Sequence, residues 1–498
     1  VYKRQLRDGK GKGETTMKNK SKVIALLVGL GLAAAACSDG LTDINVNPNA
    51  PTSVPVQFLL PTVLQGGVTA NLHGASMMSH TAVWAQHFAE IQYPDEETGN
   101  VRDSRMDGYW TGYYSGRLKD IQTVIETGAE EGLVNAQGVG MIWKSWIFHH
   151  VTDFWGDVPY SQALQGAENT TPVYDAQADI YAGLLADLEA GQGMLSNSAL
   201  GFGSGDILYG NDFTKWKKFA NSVRMRLAMR MSEVNPSGAQ AAFVAAYGAG
   251  GFTSNDDNAV LEWPGAPYEN PFYENWQGRD DHAMSRTIVN MLLDLDDPRL
   301  PYYAEPAASD GVYRGHENGR DDLPPGVSFA DISRINDFWR ANGSATPTLV
   351  MTYSEVLFLQ AEAAARGWIA GDAEALYMEA IEADMTEYAA WGHGPTDAEI
   401  ADYLASDAIA YTGMDDIHLQ KWISLWMNSA EAWSNARRTG VPDRPIGEDL
   451  MWLGKIPARY SYPPDEQSYN AANLQAALSA QGMSGPDIVT EVWWDPAG

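Results

Sequence analysis

Apolar residues recur along most of this chain at intervals of three and four, the spacing of helices that each bury one face. Residues 176–190 place Ile180, Leu184, Leu185 and Leu188 on such a face, behind Asp175 as a helix cap. Residues 138–151 carry Met141, Ile142, Trp143, Trp146, Ile147 and Phe148, which predicts a helix buried on more than one side. The clearest hairpin lies further on. Thr352 with Glu355 three residues later makes a capping-box pattern, Val356, Leu359 and Ala363 share a face, and Gly367 to Gly371 breaks the helix. A second helix starts near Asp372 with Leu376, Ala380 and Ile381 on its inner face. Together they span about the length of a tetratricopeptide unit, which buries its apolar face only by stacking on neighbours, although the usual residue pattern of that repeat is not kept. Helices are also predicted at 77–91, 107–127, 212–233, 283–295, 415–435 and 466–480.

The periodicity stops between about 251 and 348, where Gly, Pro, Asn and Asp are interleaved with aromatics, most densely from Trp263 to Trp276. A long irregular stretch this aromatic is expected to be an ordered excursion that carries binding residues. Tyr268, Tyr273, Trp276, Arg279, Asp280 and Asp281 supply what a sugar site needs within it: flat apolar rings, and side chains that hydrogen-bond hydroxyls. The same rings also serve to pin such a loop to its scaffold. A second cluster is Trp84, Gln92 and Tyr93 near the end of an early helix, where Trp84 at helical spacing with Phe88 also fits a core position. Trp339 beside Arg340 is a third. Tyr109, Trp110, Tyr113 and Tyr114 share one helix and are read as packing between helix pairs.

The N-terminus differs in composition from the rest of the chain. The only cysteine, Cys37, follows Lys18, Lys20 and Lys22, the apolar run Val23 to Leu32, and Ala33 to Ala36. One sulfur there makes no intrachain disulfide, and the run is too short to span a membrane. The order matches a signal segment (17–36) cut before a cysteine that then carries lipid, followed by a turn-rich tether (37–55). Residues 1–16 are read as an upstream extension. Removing the segment before Cys37 takes eight basic and two acidic residues and deepens the net charge from -31 to -37. So acidic a surface repels nucleic acid and anionic lipid, and it suits a body held at a membrane by an anchor.

Several strings in order resemble the SusD/RagB family of outer-membrane nutrient-binding lipoproteins, in its SusD-like branch. They are Asp153 to Ala163 (DFWGDVPYSQA), Asp297 to Leu300 (DPRL), Met351 to Ala363, Arg459 to Glu466 (RYSYPPDE) with Asn470 and Asn473, and the ending Val492 to Asp495. The resemblance implies an all-α, tetratricopeptide-like helical-repeat scaffold of about four pairs, at about 56–250 and 349–498, with the loop-rich insertion at 251–348. It also implies a non-catalytic role, without cofactor: capture of an oligosaccharide, or in some members a peptide, at the cell surface. The implied partner is a SusC-like TonB-dependent barrel on which the lipoprotein sits as a hinged lid. No sugar contact is carried over by position.

Within the DFWGDVPY string, a helix ends at Gly156, Pro159 prevents its resumption, and Asp157 is placed to satisfy free backbone N–H groups, so the string reads as a structural corner. Glu355 and Glu362 are read as capping and surface charge. The enzymatic alternative is a helical glycoside hydrolase, which needs two carboxyl groups at a set separation across a cleft. Adjacent acids such as Asp280 and Asp281 arise by chance in so acidic a chain, and no nucleophile elbow, phosphate loop or HExxH motif is present. His149 and Asp153 share a helix face, which fits a hydrogen-bonded histidine better than a metal site, and a calcium near Asp206, Asn211 and Asp212 has no further support.

Overall fold

The computed structural model describes residues 54–74 and 77–495. Cys37, the signal-like segment and the tether up to residue 53 lie outside the described residues. The first half is a run of helices: α1 (Val56–Val68), α2 (Leu118–Glu131), α3 (Val134–Trp155), α4 (Gln177–Met194), α5 (Phe213–Arg230) and α6 (Pro236–Ala249). The insertion contributes the short α7 (Pro271–Trp276) before the scaffold resumes with α8 (Tyr353–Ala365), α9 (Ala373–Met385), α10 (Met414–Ser424) and α11 (Ser429–Thr439). Neighbours in sequence pack as hairpins, α2 on α3, α5 on α6, α8 on α9 and α10 on α11, with α4 bridging α3 and α5. The molecule is thus the stacked-helix scaffold that the periodicity implies.

Local chemistry sets the helix ends. Helix α3 stops where Gly156 takes a φ of 80°, a conformation that disfavours residues with a Cβ. Asp157 then accepts a hydrogen bond from the Gln177 N–H at 2.8 Å, so it caps α4. Asp175 has a different task from the predicted cap: its carboxylate receives the Tyr160 and Ser161 N–H groups at 2.9 and 2.8 Å and holds the corner after Pro159. Thr352 does cap α8, accepting from the Glu355 N–H at 3.3 Å.

Glu355 and Glu362 correct the reading as surface charge, because α8 is covered from both sides. Glu355 accepts two bonds from Arg226 of α5, at 2.7 and 2.6 Å, with both side chains shut off from water. Glu362 takes Arg438 of α11 through two bonds of 2.7 and 2.6 Å, with His418 at 3.4 Å. Burial pushes the Glu362 carboxyl up, but Arg438 and His418 prevail and hold it well below the usual range. Glu431 of α11 pairs with Arg230, which stands 3.3 Å from Asp153 of α3. An ionic seam therefore ties α3, α5, α8 and α11 together inside the apolar core.

Among the described residues six short strands form three antiparallel pairs: β1 (Phe88–Glu90) with β3 (His282–Met284), β2 (Ala259–Leu261) with β6 (Thr348–Met351), and β4 (Ala304–Glu305) with β5 (Arg334–Ile335). All but β1 belong to the loop-rich region or its edge. Strand β1 corrects the predicted helix over 77–91, which ends at Trp84; Gln86 then takes a φ of 61° and the chain turns into the strand. The predicted helix at 415–435 is likewise two, α10 and α11, broken where Met427 adopts a φ of 64°.

Candidate ligand-binding site

The pairing of β1 with β3 joins the two candidate clusters that sequence alone left apart. Phe88 lies opposite Met284, Ala89 opposite Ala283 and Glu90 opposite His282. Just beyond, the Ile91 N–H donates to the Asp281 carbonyl at 2.7 Å and Gln92 Nε2 to the Asp280 carbonyl at 3.2 Å. Tyr93 follows with a φ of 56°, a strained conformation for a bulky residue that the surrounding bonds hold in place.

A cavity of about 490 Å³ opens beside this junction. Gln92, Tyr93, Trp276, Arg279 and Asp281 line it, so residues from both predicted clusters share one wall system. Trp276, the last residue of α7, has one face covered by the Arg340 guanidinium, 4.4 Å from the ring centroid. Arg279 sits over Tyr93 at 5.1 Å and is paired with Asp281 at 2.5 Å. Tyr93 remains 63% exposed. An apolar ring edged by guanidinium, carboxylate and amide groups can stack on the C–H face of a sugar while hydrogen-bonding its hydroxyls.

Five other predicted residues are placed elsewhere. Asp280 supports the wall from outside the cavity, its carboxylate 3.0 Å from Arg334. Tyr273 lies half-buried on α7 with its Cβ against Gly343, and exposed Tyr268 occupies the turn closed by its own N–H to the Gly265 carbonyl; neither lines the cavity. Trp84 and Trp339 are corrected outright, since each is 1% exposed and offers no face to a ligand. Trp84 packs among His80, Trp433 and Tyr460 and donates Nε1 to the Glu96 carbonyl at 3.2 Å. Trp339 is enclosed by Phe338, Tyr388 and Trp426.

The cavity also contains residues the sequence did not single out: Met78, Ser79, Glu90, Arg102, Arg105, Asn275 and His282. Arg102 and Arg105 carried a usable signal, two cations three residues apart in a strongly acidic chain. Both pair with Glu96, at 2.6 and 3.0 Å. Burial pushes the Glu90 carboxyl up, opposed by His282 alongside. The considered calcium position is filled by protein donors: Asp206 receives the Leu208, Tyr209 and Asn211 N–H groups and Trp216 Nε1, which leaves it no coordinating role.

Fold and site define a stacked-helix scaffold whose cavity is built where a loop-rich insertion meets the first helices. Over residues 48–463 the chain matches the SusD-like family described as starch-binding and associating with the outer membrane, and it belongs to that family. Among solved structures it is similar to a chitin-binding protein, with 31% identity and a TM-score of 0.80 over 88% of this chain and 99% of that one. It is also similar to a Bacteroidetes AC2a SusD-like protein, at 25% identity and a TM-score of 0.79 over 89% and 100%. A chitin-binding SusD homologue from Flavobacterium johnsoniae shares the fold at 23% identity and a TM-score of 0.75, over 88% and 99%. No curated protein matches the chain. Among the described residues no helix is long and apolar enough to cross a membrane.

Proposed function

We propose that this protein captures an oligosaccharide in the cavity beside Trp276 and passes it, chemically unchanged, to a SusC-like TonB-dependent barrel. Lipid on Cys37 would hold it at the outer membrane, with the 37–55 tether allowing the body to swing. The observation that carries the reading is the wall where Trp276 and Tyr93 stand among Arg279, Asp281 and Gln92. Family membership supports it, as does the chitin binding named for a neighbour 31% identical.

Hydrolysis is the reading to separate from it, because Glu90 is a buried carboxyl pushed toward its neutral form, as a general acid requires. Its potential partner Asp281 lies on the same wall and is held by Arg279, so it is neither opposite Glu90 nor free. Incubating the purified protein with a panel of glycans and peptides, then scoring retention and product together, tests the function. Retention of glycan without product is expected. Product formation would overturn the non-catalytic role, and retention of peptides alone would replace the ligand.

A further inference from the structure

The cavity concentrates cations in a chain whose net charge is -31. Arg102, Arg105 and Arg279 all line it. Arg102 and Arg105 share one carboxylate, Glu96, whose side chain is fully buried and lies outside the lining. Arg102 gives Nε and Nη2 to it at 2.6 and 2.8 Å, and Arg279 gives Nε and Nη2 to Asp281. A guanidinium has five N–H donors, so each retains some beyond these pairs. The lining holds two carboxyls, Asp281 and Glu90, against these three guanidinium groups.

An independent observation comes from His282. It is 7% exposed, it lines the cavity, and its Nε2 makes no close hydrogen bond, its nearest partner Glu90 Oε1 lying at 3.7 Å, close enough to act on that carboxyl and too far to satisfy the ring nitrogen. A buried polar atom left open toward a cavity is a position where a ligand atom completes the bonding. Within the lining, guanidinium N–H donors thus exceed the carboxylate acceptors.

We infer that, given the glycan-binding function proposed above, this cavity selects acidic saccharides: a carboxylate or sulfate seats among Arg102, Arg105 and Arg279 while a sugar ring lies on Trp276. Guanidinium groups bind both anions through paired, charge-assisted hydrogen bonds, and a neutral glucan would offer their remaining N–H groups no charged acceptor.

The test measures binding of the purified protein to oligogalacturonate, to sulfated chondroitin oligosaccharides, and to neutral maltoheptaose and chitohexaose. One or both acidic probes are expected to bind, with the carboxylate-only and sulfated arms distinguishing the anion. Their binding should weaken several-fold between about 0.05 M and about 0.5 M salt. Arg105→Gln and Arg279→Gln should each weaken it about tenfold. Arg279 is more than half exposed, so its variant keeps the test valid if loss of Arg105 disturbs Glu96. Binding of neutral probes alone, or of all probes equally without salt dependence, overturns this selectivity and leaves glycan capture standing. Binding of none counts against glycan capture itself, and the selectivity falls with it.

Discussion

Arginine meets carboxylate in two parts of this molecule under opposite conditions. Between the helices, Arg226, Arg230 and Arg438 face Glu355, Glu431 and Glu362 with nearly all side-chain surface removed from water. At the cavity, Arg102, Arg105 and Arg279 keep between about a quarter and more than half of theirs exposed. A buried pair is costly to break, because removing one partner strands the other charge in a medium that cannot solvate it. A pair open to water, such as Arg279 with Asp281, contributes little to stability and exchanges partners readily, while Arg102 and Arg105 keep free N–H groups beyond the buried Glu96 they share. The same two residue types therefore fix helix register in one region and remain available to a ligand in the other.

The largest expected effect comes from breaking the inner set. Glu362→Gln leaves Arg438 without its counter-charge, and urea unfolding should show a loss of about 3–5 kcal/mol. A loss below about 1 kcal/mol would place the inner pairs with the rim pairs and erase the contrast.

Acid should act on the same region. Burial lowers His87 and His150 from 6.5 to about 3, and Glu431 is lowered from 4.5 to about 2: burial opposes that shift, but Arg230, Arg226 and Lys421 outweigh it. Below each group's ordinary value the unfolded chain takes up a proton that the folded protein refuses, so stability falls until the folded value is reached. Glu90 and Glu97, raised by burial, work the other way only above 4.5, since below it both states of the chain hold their protons. Asp153, Asp157 and Asp384, raised by burial from 3.8, oppose the fall down to that value, so between pH 3.8 and about 3 the histidines and Glu431 act together and the thermal midpoint should drop steeply there. A flat profile over that interval would contradict the buried, uncharged histidines.

Effects at the rim should spare stability. Trp276→Ala is expected to cut glycan retention about tenfold while shifting Tm by no more than about 2 °C. Survival of binding with a Tm fall of several degrees would reassign the ring to packing. The smallest effect is expected from EDTA, which should leave Tm unchanged because Asp206 is already occupied by protein donors. A shift with EDTA that added calcium reverses would show a cation in that turn after all.

What the sequence made legible follows sequence distance. Helices α3, α4 and α8 rest on their own apolar periods, with Gly156 ending α3 and Thr352 capping α8 locally, so their existence was readable. Strand β1 was not, because residues 88–90 are extended only by virtue of partners at 282–284. Glu355 and Glu362 look like surface acids until α5 and α11 cover their helix, and no local pattern carries that information. The candidate site was half legible for the same reason. Composition marked the aromatic loop, but Trp276 and Trp339 read alike in sequence, and the fold alone buries one and leaves the other on a cavity wall.

Gln92 and the Asp280 carbonyl it bonds are 188 residues apart, and the pairing of Phe88–Glu90 with His282–Met284 is only three residues deep. The last rungs, from Ile91 and Gln92 to the Asp281 and Asp280 carbonyls, sit at the open end of this buried ladder beside exposed Tyr93, where local opening costs least. This wall of the cavity is therefore expected to open and re-zip locally while the helices stay intact, and a ligand touching both sides would act as the missing rung. Amide hydrogen exchange at Ile91 and Gln92, faster than in α3 without ligand and slowed on its addition, would report that latch directly.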